Sequence, residues 1–297
     1  MPTEPPVTSP RDLAGVYAAL AAGTSEEPVR PIAGGTDLMV ALTGELGEPP
    51  AALVDLWAVD ALRGIAVDGG DLVLGALTTY TDVRRSALCR EHVPALVAAA
   101  ATIGAAQIQN RGTLGGNIAN ASPAGDTLPI FLAADARFVL GSAARGEREV
   151  PAAAFWTAYR RTALAADEVL LRIRIPLRPG HEMRFRKVGT RRAQSISKVV
   201  ISVAWRESVG NGDAASTATV WRDVHVALGS VAATPIRAPR TEAVLEGSPT
   251  TPEVADRAAE TLAAELAPID DVRSTAEYRR IVAARVLHRI VREAGGW

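Results

Sequence analysis

Only one cysteine, Cys89, occurs in the 297 residues. A single thiol closes no internal disulfide, and it cannot form a zinc or iron–sulfur site that needs several thiolates from this chain. Cys89 reads as a small apolar filler on a helix. The four histidines (His92, His181, His225 and His288) are scattered without metal-ligand spacing, so they read as surface or packing residues and no metal site is expected. An excess of either charge is also missing: 32 basic and 33 acidic residues leave a formal charge of −1. That balance gives no electrostatic ground for nucleic acid or an anionic membrane as partner. No run of about 18 apolar residues occurs, so no membrane span is expected. The start MPTEPPVTSP lacks the apolar core of a secretory leader, which makes the cytoplasm the expected compartment. Neither a Walker A loop nor a G-x-G-x-x-G fingerprint is present, which argues against an ordinary NAD site as the main one.

What is present is an ordinary globular composition, 48% hydrophobic and 22% charged, with aromatics at only 4%. The cores should therefore be built from Ala, Val, Leu and Ile. Ser9-Pro10-Arg11-Asp12 opens a first helix, with Ser9 as the expected cap and Asp12 in the capping-box position. The strand 29–33, the turn Gly34-Gly35-Thr36-Asp37, a helix over 38–43 and the strand 52–55 form a βαβ-like start. Asp68-Gly69-Gly70-Asp71 joins two short apolar runs as a hairpin. An Ala-rich helix is predicted over 94–102, a short one over 128–132, and strands over 137–140 and 169–175, the latter ended by Pro176. Gly104 to Gly125 contains five glycines and no regular periodicity. After the break at 176–180, three antiparallel strands are predicted over 183–188, 197–205 and 218–230, followed by a helical tail from Pro252. These features define an α+β chain with expected units 1–60, 61–178 and 179–297.

Two glycine loops carry the chemistry. Pro31-Ile32-Ala33-Gly34-Gly35-Thr36-Asp37-Leu38 runs from strand through a Gly-Gly turn into a helix. Glycines there let an anion approach the peptide N–H groups closely, so this is a phosphate cradle that needs no lysine. The second loop, Thr102 to Pro129, contains Arg111 and Asp126 as its only charges and is otherwise rich in Gly, Thr, Asn and Ser. So long and so uncharged a loop suits a chain that folds around a polar ligand through amides and hydroxyls. Two phosphate-type loops in one chain point to a dinucleotide. No nucleophile–base pair is evident, and no catalytic acid or base is nominated.

On these residues the sequence resembles the FAD-binding medium subunit of the molybdenum hydroxylases, the family of xanthine dehydrogenase and carbon monoxide dehydrogenase. Ala33-Gly34-Gly35-Thr36-Asp37 and the stretch from Gln107 to Asp126 match the family's two loops. Phe155 to Thr162, Glu168 to Leu171, Phe185 to Gly189, Gly229 to Ala238, and Ser274 with Tyr278-Arg279-Arg280 extend the match over nearly the whole chain. The resemblance implies a two-subdomain FAD-binding fold of the vanillyl-alcohol-oxidase (PCMH) type plus a C-terminal antiparallel sheet-and-helix domain. It implies FAD contacts from Pro31, Ile32, Ala33, Gly34, Gly35, Thr36, Asp37 and Leu38 at the pyrophosphate. Further contacts come from Ile103, Thr113, Gly116, Asn117, Asn120 and Asp126, with Leu170 and Lys187 nearer the flavin; read without the family, Lys187 is an exposed strand lysine. It also implies a molybdopterin-binding large subunit and a 2Fe–2S small subunit as partners in a dimer of heterotrimers, with NAD or another acceptor taking the electrons. The substrate pocket would then lie on another subunit, and only the Tyr159-Arg160-Arg161-Thr162 neighbourhood gives a preference, for xanthine or another purine.

One cysteine excludes the relatives that carry an iron–sulfur cluster in this subunit. Arg191-Arg192-Ala193-Gln194-Ser195 is less acidic than the flavin-side loop of animal xanthine dehydrogenases, which leaves the acceptor open. The rival readings are a self-contained flavin reductase resembling UDP-N-acetylenolpyruvoylglucosamine reductase, a carbon monoxide, aldehyde or heterocycle dehydrogenase subunit, and a scaffold without FAD.

Overall fold

In the computed structural model, residues 4–24, 26–44, 48–191, 194–209 and 219–297 are described. Arg192 and Ala193, from the flavin-side stretch singled out above, lie outside them, as does Ala218 at the start of one expected strand.

The N-terminal helix spans Leu13–Ala21 and is capped by Asp12, whose side chain accepts from the Gly15 amide at 2.8 Å. The helix therefore starts three residues later than Ser9 and Pro10 suggest: the Asp12 carboxylate takes the cap, and the prolyl turn precedes it. Strands Val7–Thr8, Ala52–Asp55 and Val29–Ile32 form a three-stranded parallel sheet in that order. The βαβ start is thus present, with Val29–Ile32 on the edge. Pro31 is exposed there, where its missing N–H costs no ladder bond.

A second, antiparallel sheet has the order Ile65–Asp68, Asp71–Gly75, Val169–Pro176, Arg137–Ser142, Gly146–Pro151. Gly69 (φ +57°) and Gly70 (φ +83°) make the two-residue turn of its first hairpin, the conformation that Asp-Gly-Gly-Asp predicts. The strand Val169–Pro176 has a bulge between Leu170 and Arg172 and divides two cores. Val169 and Leu171 join Val16, Leu20 and Val54 of the N-terminal layer. Leu170, Ile173 and Ile175 face the largest core, with Leu114, Ile118, Phe131 and Phe138.

The four-stranded C-terminal sheet runs His181–Val188, Val199–Val209, Thr219–Gly229, Ile236–Arg237. Its alternation serves both faces. Phe185, Val200, Ala204 and Ala227 pack into the largest core, while Ile201, Val203, Trp205, Trp221 and Val226 pack under the helices Pro252–Glu265 and Ala276–Gly295. Trp205 and Trp221 stack there with ring centroids 4.3 Å apart. The helical tail is thus two helices, broken between Leu266 and Thr275. Cys89 is fully buried on the helix Ala87–His92, and burial raises its thiol pKa, which leaves it an inert filler. No described helix is long and apolar enough to cross a membrane.

Although aromatics are scarce, four of them concentrate at one point. Phe138 meets Phe131, Phe155 and Trp156 edge-on at 5.8, 4.8 and 5.4 Å. Phe138→Ala should leave a cavity at the centre of this group and cost about 3–5 kcal/mol. Urea unfolding followed by tryptophan fluorescence measures it, and an unchanged midpoint would contradict this account of the core.

Candidate functional site

The first loop begins where the edge strand Val29–Ile32 ends. The Ile32 carbonyl takes the Leu56 amide at 2.9 Å, and the chain then turns away through Gly35 at φ +75°. Ala33, Gly34, Gly35, Thr36 and Leu38 are half-buried, and Asp37 is exposed. A short helix, Leu38–Thr43, follows, closed by Met39 N–H donating to the Gly35 carbonyl at 2.9 Å. The amides of Gly34, Gly35, Thr36 and Asp37 meet no acceptor among the described residues. Four successive N–H groups are thus left as donors without a partner among the described residues.

The second loop is not the irregular stretch that its glycines suggest. It contains two short helices, Ala106–Arg111 and Leu114–Asn120. Periodicity fails to reveal them because each is less than two turns long and each is fixed by contacts distant in sequence. Thr113 caps the second helix, its hydroxyl accepting from Gly116 N–H at 3.0 Å. Gly115 N–H donates to the Ala76 carbonyl at 2.8 Å, and a Cβ on Gly115 would stand 2.7 Å from that oxygen. The Asn117 side-chain carbonyl accepts from the Thr127 hydroxyl at 2.6 Å. Ala121, in the left-handed region at φ +49°, ends the helix.

The structure brings the two loops into contact. A Cβ on Gly34 would lie 1.9 Å from the Arg111 carbonyl oxygen, so only glycine allows this approach. Below the contact, the Tyr80 ring supports Gly112, whose added Cβ would be 2.8 Å from Tyr80 Cε2. The Arg111 guanidinium lies 3.7 Å from the centre of the Trp57 ring, with Arg63 over the same ring at 4.7 Å. Across the mouth, Asn120 donates to Asp37 at 3.0 Å. Burial first, then the negative charges of Asp37 and Asp126, hold the Tyr80 phenol far above its ordinary pKa, so it remains neutral. Trp57 and Tyr80 were not legible as site residues. No loop motif contains them, and only the tertiary approach gives them a role.

Asp126, expected along the second loop, and Lys187, expected nearer the flavin, form a buried ion pair at 2.6 Å. The exposed-lysine alternative for Lys187 is therefore excluded: it is a buried cation joining the C-terminal sheet to the second loop. Ser197 donates to the other Asp126 oxygen, and Lys187 also reaches the Thr102 carbonyl at 3.5 Å. Burial raises the Asp126 carboxyl pKa, while Lys187 and Ser197 pull it back. Ile103 is half-buried against the main core, its carbonyl accepting from Gln109 at 3.0 Å. Leu170 lies behind the second loop, its side chain in the same core as Leu114 and Ile118 rather than on a loop.

With this geometry established, comparison with known proteins is informative. Residues 3–178 match the family described as the FAD binding domain in molybdopterin dehydrogenase, and residues 184–294 match the CO dehydrogenase flavoprotein C-terminal domain. The chain is 31% identical over 275 residues to the nicotine 6-hydroxylase medium subunit of Paenarthrobacter nicotinovorans, covering 92% of each chain. It is 30% identical over 272 residues to the xanthine dehydrogenase FAD-binding subunit of Escherichia coli O157:H7, covering 89% of each. The solved carbon monoxide dehydrogenase from Hydrogenophaga pseudoflava superimposes with a TM-score of 0.89 at 30% identity, over 97% of this chain and 96% of that one.

The buried pair predicts a pH-dependent response. Lys187→Met leaves the Asp126 carboxyl desolvated without its cation, so its pKa rises further. A carboxyl whose folded pKa is raised binds its proton more tightly in the folded chain, and that stability is present at low pH and lost as pH rises through the folded pKa. The variant should lose about 3–5 kcal/mol at pH 8 and clearly less at pH 5. Urea unfolding at both pH values measures this. A loss of the same size at both would show that Asp126 does not titrate as described.

Proposed function

Since the chain belongs to the family of FAD-binding subunits of the molybdenum hydroxylases, we propose that it holds FAD between its two glycine loops and serves as the electron-output module of a multi-subunit complex. The observation carrying this reading is the row of unpartnered amides from Gly34 to Asp37, set against a second loop whose own polar groups are largely committed to holding its shape. Four N–H donors with no lysine beside them fit the oxygens of a pyrophosphate. Pro31 to Leu38 would hold that end. Ile103, Thr113, Gly116, Asn117, Asn120 and Asp126 would line the facing wall, with Leu170 and Lys187 toward the flavin.

When bound, FAD supplies the redox chemistry, accepting electrons and releasing them to a second acceptor. The protein's part is to place and enclose it. The Tyr80 phenol remains a neutral donor there, and the Asp126–Lys187 pair fixes the second loop against the C-terminal sheet. We divide the chain into residues 1–60 and 61–178, which would enclose the cofactor, and 179–297, which would complete the flavin end.

The other cofactors belong to partners on this reading. One cysteine supplies no ligand set for a 2Fe–2S cluster, so molybdopterin and iron–sulfur clusters would sit on a large and a small subunit, in a dimer of heterotrimers. Electrons would leave through this chain to NAD or another acceptor, in the cytoplasm. The medium chains of nicotine, xanthine and carbon monoxide enzymes resemble it about equally. This supports an output stage common to several substrates, with selection of the substrate made on the large subunit. We retain a xanthine dehydrogenase-like complex as the working assignment. The match over residues 184–294 favours the hydroxylase subunit over a self-contained flavin reductase.

The test is the visible spectrum of the chain purified with its co-encoded partners, followed by chromatography of the cofactor released on denaturation. Flavin bands and FAD, not FMN, are expected. Gly34→Ala should weaken FAD uptake by at least about tenfold, because its Cβ forces the loops apart. An assembled complex with no flavin, and none taken up when FAD is added, would overturn the proposal.

A further inference from the structure

Arg160 sits at the tip of a two-stranded hairpin, Trp156–Ala158 paired with Arg161–Thr162, and its backbone is left-handed at φ +52°. A side chain other than glycine, asparagine or aspartate at such a position is uncommon. The hairpin is anchored to the second loop, since the Trp156 indole N–H donates to the Ile118 carbonyl at 3.1 Å. It is thus held by the helix whose last residue is Asn120. From the tip, the Arg160 guanidinium donates to Asn120 Oδ1 at 3.0 Å, and Asn120 Nδ2 donates to Asp37 Oδ1 at 3.0 Å. The neighbouring Arg145 and Arg148 pair with Asp167 and Glu168, whereas Arg160 pairs with no carboxylate among the described residues.

The direction of this chain is fixed by chemistry. A guanidinium only donates and an ionised carboxylate only accepts, so the Asn120 amide between them has one possible orientation. Its oxygen faces Arg160, one N–H faces Asp37, and the second N–H remains for another acceptor. We propose that Arg160 is a positioning residue for the cofactor. Through Asn120 it presents an amide donor beside the first loop and adds positive charge to a cradle whose own side chains include the Asp37 carboxylate. This rests on the FAD reading above and extends it to a residue outside both glycine loops.

The experiment uses the full chain freed of flavin and titrated separately with FAD and with ADP, following flavin fluorescence and competition. Arg160→Gly should weaken both by about tenfold, the size expected for a lost charge-assisted hydrogen bond. The melting temperature without cofactor should hold or rise, since glycine suits a positive φ. A merely structural arginine would lower stability instead. Arg160→Lys should recover part of the affinity, because it restores the cation. Asn120→Ala should cause a similar loss, and adding Arg160→Gly to it should cost little more. If Arg160→Gly binds FAD and ADP as the wild type does, the assignment falls; if the two substitutions are fully additive, the relay falls. A wild-type chain that takes up no FAD overturns the proposed function itself.

Discussion

The site depends on the approach of one backbone to another, Gly34 against the Arg111 carbonyl. No side chain can stand between them, because a single methyl would lie 1.9 Å from the oxygen. Close contact brings two loops from different parts of the chain against one another. The amides of Gly34, Gly35, Thr36 and Asp37 meet no acceptor among the described residues. The first loop alone would be an ordinary strand-to-helix connection. It differs from one because the second loop occupies the space where a side chain at Gly34 would normally be.

Several contacts hold that approach in place. On one side Arg111 stacks on Trp57, which rises from the N-terminal layer just after the strand Ala52–Asp55. Arg111 is one of two charges in the second loop, and it is used to clamp that loop to the first. Beneath, Tyr80 fills the space under Gly112. On the far side the other charge, Asp126, is buried against Lys187. Isolating a carboxylate from water is costly, and only a cation and a hydroxyl in hydrogen-bond contact make it tolerable. The expense has a structural consequence: the C-terminal sheet cannot separate from the loop without exposing an unpaired charge on each side.

Much of this was legible in the sequence, and the parts that were not share a physical cause. The parallel start, the Asp-Gly-Gly-Asp hairpin and the strand ended by Pro176 are local patterns, written in periodicity and turn chemistry, and they stand where expected. The first cap moved from Ser9 to Asp12 because competing side chains decide a cap within one turn. The two helices inside the second loop were missed because distant contacts hold them: Thr81 and Arg84 meet Asn110 and Gln109 of the first, and Ala76, Thr78 and Thr127 meet Gly115, Leu114 and Asn117 of the second. Trp57 and Tyr80 carry no motif, and Arg160 lies in the stretch Phe155 to Thr162, which was noted only for its family match. Each acquires its role only when segments far apart in sequence meet. Lys187 was named through family resemblance, but its burial and its pairing with Asp126 follow from the packing of the sheet.

On the proposed reading the C-terminal domain is part of the site. Its sheet places Phe185, Val200, Ala204 and Ala227 in the same core as the second-loop helix. A second polar junction holds it at the opposite end: Asp223 accepts from His181 at 2.8 Å, while Arg178 and Arg237 converge on Asp135. Asp135 and Asp223 both have left-handed backbones, at φ +48° and +52°. Asp135 stands just after the helix Leu128–Ala133, and Asp223 stands inside the strand Thr219–Gly229, opposite the register shift between Ala204 and Arg206. An apolar core lies between the two attachments, and Lys187 pairs with Asp126 at the loop end of the sheet. The residues proposed for the site are drawn from three separate sheets and the loops beside them. That explains why the glycine motifs identify where a dinucleotide would lie, while the geometry that would hold it is spread over nearly the whole chain.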